Sequence, residues 1–73
     1  SNEEIAQVLS MTVYVNTESD FKEHTQLADF ASNFLYEKIG QVGIGSRAAI
    51  GVASLPGNAP VEIQIVVVTK IVE

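Results

Sequence analysis

Two side chains stand out as candidates for chemistry, Arg47 and Glu62. Arg47 is one of four basic residues and stands where the glycine-rich stretch 41–46 gives way to a run of β-branched and small residues. Ala49, Gly51 and Ala53 follow it at every second position, and their short side chains leave room above a strand surface. A guanidinium in that position offers a planar fork that a carboxylate accepts through two parallel hydrogen bonds. Arg47 and Ala49 are therefore the candidate ligand-binding pair, the ligand being a small carboxylate. The alternative for Arg47 is a surface arginine paired with one of the nine acids of the chain. Glu62 interrupts the apolar run that follows Pro60, and a carboxylate in such surroundings is candidate general acid/base material. Its alternative is an ordinary solvent-facing strand residue.

Other chemistries find little support. Cysteine is absent and there is one histidine, His24, so neither disulfides nor a transition-metal site is expected. No serine sits in a nucleophile-elbow pattern. Gly43-Ile44-Gly45-Ser46-Arg47-Ala48 matches G-x-G-x-x-A in letters, but it leaves a helical pattern and enters a strand pattern, the reverse of the dinucleotide-binding context. No cofactor is expected. The connector's glycines turn the chain, and its N–H groups could help hold an anion. Net charge is −5 and the four cations are scattered, so the clustered phosphate contacts that nucleic acid requires are missing. The longest apolar stretch, Ile65 to Val68, is far too short to span a bilayer. No secretion signal opens the chain, and a cytoplasmic location is the expectation.

The elements that must position these groups follow from periodicity. Residues 8–15 alternate, with Leu9, Met11, Val13 and Val15 on one face and Val8, Ser10, Thr12 and Tyr14 on the other, as in a strand. Leu27, Phe30, Ala31, Phe34 and Leu35 then follow helical spacing, which predicts a helix over about 21–39 with the Phe30/Phe34 stripe in the core. Asp20 reads as its N-cap with Glu23 completing a capping box, Gly40 as its C-terminal glycine, and His24 as an exposed residue of its first turn. Strands are expected at about 47–54 and 61–71, joined by the turn-forming 55–60. The order is βαββ, a single α+β domain over 1–73 with one helix on a mixed sheet. The first two strands should be parallel and the last two an antiparallel hairpin.

If that hairpin folds about Gly57-Asn58, Glu62 lies opposite Ala53 and Arg47 opposite Val68. They are then about six residues apart along the strands, roughly 20 Å. Both can serve one small molecule only across an interface between chains. Size points the same way. Below roughly 70–80 residues one core rarely holds a fold alone, so a chain of 73 residues with 47% hydrophobic content is expected to oligomerise.

Four segments taken in order resemble the RidA (YjgF) family of enamine/imine deaminases. They are Met11-Thr12-Val13-Tyr14-Val15, Ser19-Asp20-Phe21, Arg47-Ala48-Ala49-Ile50-Gly51-Val52-Ala53-Ser54-Leu55-Pro56 and Val61-Glu62-Ile63-Gln64-Ile65. The resemblance covers the C-terminal half of a typical subunit. The N-terminal block of strands and a helix, with its Ser-Gly-Gln-like motif, has no counterpart here, which reads as a fragment, a processed piece or a shortened relative. The resemblance implies a trimer with clefts between subunits. It also implies hydrolysis of 2-imino or enamine acids to 2-keto acids and ammonia, without metal or organic cofactor. Arg47 matches the arginine that binds the substrate carboxylate, and Glu62 the glutamate that handles the attacking water. Ala49 stands where many members have cysteine, and Thr25 near a position that is often asparagine. A carboxylate-binding module without catalysis is the alternative function.

Overall fold

The computed structural model describes residues 2–18 and 22–73. Its elements run β1 (Asn2–Asn16), α1 (His24–Ile39), a 3-10 turn over Gly40–Gly43, β2 (Ser46–Val52), a second 3-10 turn over Pro56–Asn58 and β3 (Val61–Val72). This is the α+β, βαββ arrangement expected from the periodicities, one helix packed on a three-stranded mixed sheet. Ser19, Asp20 and Phe21 lie outside the described residues, so the Asp20 cap does too. Helix α1 begins at His24, with Glu23 at the N-cap position making no side-chain cap bond. It ends as the sequence predicts, on Gly40 at φ +72°, whose N–H closes on the Tyr36 carbonyl.

The strand order differs from the expectation. It is β2-β1-β3, with β1 parallel to β2 and antiparallel to β3. β2 and β3 therefore form no hairpin, and the residues between them carry the chain across the end of β1. Two strand spacings separate β2 from β3, about 10 Å, which a two-residue hairpin turn cannot span and this longer connection can. Asn16 fastens the crossing. Its N–H donates to the Pro60 carbonyl at 2.9 Å, and its side-chain Nδ2 donates to the Ala59 carbonyl at 3.0 Å.

Strict alternation also fails in β1, where the register with β3 shifts twice, between Ile5 and Gln7 and between Val8 and Ser10. Pairing with β3 runs Val8↔Val67 and then Ser10↔Val66, which leaves Leu9 as an extra residue, a β-bulge. One inserted residue reverses which side chains face inward. Val8 consequently joins Met11, Val13 and Val15 on the buried face, while Leu9 is 50% exposed. The bulge is where the connector docks. Ser46 Oγ donates to the Leu9 carbonyl at 3.1 Å, and Gln7 Nε2 donates to the Val8 and Ile44 carbonyls, each at 3.0 Å. Gly45 passes so close that an added Cβ would overlap the Val8 carbonyl oxygen and the Leu9 backbone.

Helix α1 lies over β1 and β2. Ala28 is fully buried against Met11, Val13 and Val15, with Leu27, Ala31, Leu35 and Ala49 packed around them. Phe30 and Phe34 are not core: they are 73% and 59% exposed. They overhang the β3 side, where with Leu27, Leu35, Ile63 and Ile65 they line an open apolar groove of about 460 Å³. The helix turns its smaller residues to the sheet because Ala28 and Ala31 allow the closest approach. β3 is exposed along its whole length.

The Gly45 contact gives the first test. A methyl there meets the Val8–Leu9 backbone of β1, so Gly45→Ala should destabilise the fold by about 1–3 kcal/mol, the usual cost of overpacking. A urea midpoint unchanged from that of the unsubstituted chain would contradict the close approach.

Candidate functional site

Arg47 enters β2 directly after the docked connector, paired with Met11 of β1. Paired residues share a face, and Met11 faces the helix, so the Arg47 side chain rises beside α1. Its Nη1 lies 2.7 Å from Asp29 Oδ1 and donates to Ser32 Oγ at 3.1 Å. Among the described residues these are its only polar contacts. The pair is half open, with the arginine side chain 29% exposed. Arg47 and Ser32 line a pocket of about 180 Å³ whose other walls are Val8, Met11, Gly43, Ile44 and Gly45. One end is thus cationic and hydroxylic, and the rest is apolar side chain and connector backbone.

Neither Asp29 nor Ser32 was singled out by the sequence. They sit three residues apart on α1, a spacing that puts both on one helix face. That spacing was the available signal, but it points to no particular partner until the helix is laid across β2. Ala49 lies two residues beyond Arg47, paired with Val13, and packs against the core under α1. It is not part of the pocket wall. His24 stands over Gly51, its Nε2 2.5 Å from where a Cβ would be. His24 is thereby half-buried over the sheet instead of exposed on the first turn.

Glu62 is elsewhere. It pairs with Tyr14 on β3, and it is exposed. Ile63 and Ile65 share the helix side with Met11, so Glu62 and Gln64 project from the opposite, uncovered face. Tyr14 Oη donates to Gln64 Oε1 at 3.4 Å on that face. The hairpin register is replaced by one in which Arg47 is level with Met11 and Glu62 with Tyr14. Three residues along and two strands across separate their backbones by roughly 14 Å. Within one chain the two side chains lie on opposite faces and do not meet.

Among the described residues no group of three or more His, Cys, Asp or Glu side chains could hold a metal ion. Among the same residues no helix is long and apolar enough to cross a membrane.

No family model matches the sequence. The chain is similar to Protein TCP17 of Trypanosoma cruzi, 36% identical over 64 residues that cover 86% of this chain and 40% of that protein. It is also similar to the crystal structure of the protein Atu1372, of unknown function, from Agrobacterium tumefaciens. There the TM-score is 0.83 at 38% identity, over 86% of this chain and 40% of that one. The chain thus spans about 40% of the length of the proteins it matches.

Because the Arg47–Asp29 pair is partly exposed, it contributes little to folding. Arg47→Ala should shift the unfolding free energy by less than about 1 kcal/mol. Chemical denaturation checks this, and a larger loss would mean that Arg47 is structural.

Proposed function

We propose that this chain is the carboxylate-binding part of an enamine/imine deaminase of the RidA type, acting as a homo-oligomer, trimeric by resemblance and cytoplasmic by expectation. The observation that carries the reading is the placement of Arg47. Its guanidinium stands at a small, mostly apolar pocket, held through Nη1 by Asp29 and Ser32. The four ordered segments that resemble the family support the rest.

In this reading Arg47 holds the carboxylate of a 2-imino acid while the apolar wall receives its side chain. Water adds to C2 of the imine, and a proton passes to nitrogen. The C2–N bond then breaks to leave a 2-keto acid and ammonia. Glu62 of a second copy takes the proton from the attacking water and returns it to the leaving nitrogen. The second copy is required because the two side chains of one chain lie on opposite faces. Exposed apolar side chains on the uncovered face, Ile50, Val66 and Val68 among them, favour association. The reaction is a hydrolysis and calls for no cofactor.

A second reading is carboxylate binding without turnover. It is favoured by the exposed setting of Glu62 and by the 40% share of its relatives that this chain spans.

Ammonia release from freshly generated 2-aminoacrylate tests the proposal. The chain should accelerate release, and Arg47→Ala should lower kcat/KM by about 10- to 100-fold, as for loss of a charge-assisted contact. An equal rate in the variant would overturn the assignment of Arg47. Saturable pyruvate binding without ammonia release would favour the second reading.

A further inference from the structure

Nη1 of Arg47 has two hydrogens, and α1 supplies two acceptors for them, Asp29 Oδ1 at 2.7 Å and Ser32 Oγ at 3.1 Å. Both contacts fall on the same nitrogen. Nη1 is the nitrogen that shares no donor edge with Nε–H. What remains is the edge formed by Nε–H and the nearer Nη2–H, two parallel donors that match the oxygens of a carboxylate. An arginine on an edge strand has a long, flexible side chain, and an ion pair that engages the far nitrogen restricts it without covering that edge.

We propose that Asp29 is a positioning residue for Arg47. It anchors Nη1 so that the Nε/Nη2 edge is presented to the pocket, and Ser32 assists as the second acceptor. Ser32 accepts from Nη1, so its own hydroxyl proton is free to point into the pocket that both side chains line. A carboxylate there receives three donors, two from the arginine edge and one from Ser32. At about 180 Å³ the cavity is smaller than the roughly 300–1,000 Å³ of sites for drug-sized ligands. With Val8, Met11 and Ile44 as walls it suits a short carboxylate with a small apolar side chain. The inference rests on the reading that Arg47 receives a carboxylate. It assigns to Asp29 the role of clamp and not that of a plug competing for the same edge.

The two roles give opposite signs. Pyruvate affinity is measured by NMR titration of the chain and of its Asp29→Ala and Asp29→Asn variants, together with solvent exchange of the Arg47 Nε–H. The clamp requires that Asp29→Ala weaken pyruvate binding about tenfold and speed Nε–H exchange, because a preorganised group binds with less ordering cost. Asn keeps an oxygen acceptor at the same place, so Asp29→Asn should restore affinity close to that of the unsubstituted chain. A merely structural Asp29 would alter the melting temperature and leave the dissociation constant of the folded protein as it was. Unchanged or tighter pyruvate binding by Asp29→Ala overturns the clamp. If the unsubstituted chain binds no pyruvate, the carboxylate reading fails by itself. Nε–H exchange then decides the clamp separately, and an unchanged rate in Asp29→Ala overturns it.

Discussion

Leu9 is the second of two places at which β1 loses step with β3, and the position of Arg47 follows from that displacement. At the bulge the Gln7 and Ser46 side chains donate to the Val8 and Leu9 carbonyls. Ser46 can do so only because Gly45 lets the connector press against the bulge. With Ser46 fastened there, β2 is locked in parallel register as Ser10↔Ser46 and Met11↔Arg47. The guanidinium then rises on the helix side, within reach of Asp29 and Ser32. A backbone irregularity, a missing side chain and a hydroxyl thus fix the arginine more firmly than β2's own hydrophobic pattern does.

The same sheet is poorly self-sufficient. Its fully buried side chains are those of β1 and Ala28, and both edge strands keep large exposures. The radius of gyration is 14.1 Å, against about 11 Å for a compact domain of this length. The excess comes from the start of β1 and the end of β3, which pair as a two-stranded ribbon beyond the helix. Such a ribbon is marginal by itself in water. These features support the proposed homo-oligomer, in which the uncovered face with Glu62 and Tyr14 meets neighbouring copies.

Element types were legible in the sequence because each rests on local signals. The helix ends at Ile39 because Gly40 adopts positive φ, and β2 and β3 fall close to where alternation and β-branched residues put them, while β1 starts at Asn2, well before the alternation at 8–15. Strand order was not legible, since the 55–60 segment has turn composition whether it closes a hairpin or crosses β1. Alternation misplaced Val8 and Leu9 because a bulge leaves no mark in the hydrophobic pattern. Helical spacing found the apolar face of α1 but not which part of it meets the sheet, so Phe30 and Phe34 were assigned to the core. At the site, Arg47 could be singled out from its setting. Asp29 and Ser32 could not, because their relation to it arises only when α1 folds back over β2.

The most direct test of a site shared between copies is to mix Arg47→Ala and Glu62→Gln chains, each strongly impaired alone, after unfolding and refolding together. If each site takes Arg47 from one copy and Glu62 from its neighbour, random assembly should return roughly a quarter of the activity of the unsubstituted chain, the share of interfaces with both residues intact. Mixed assemblies no more active than either variant alone would contradict the shared site and leave Arg47 and Glu62 without a common role.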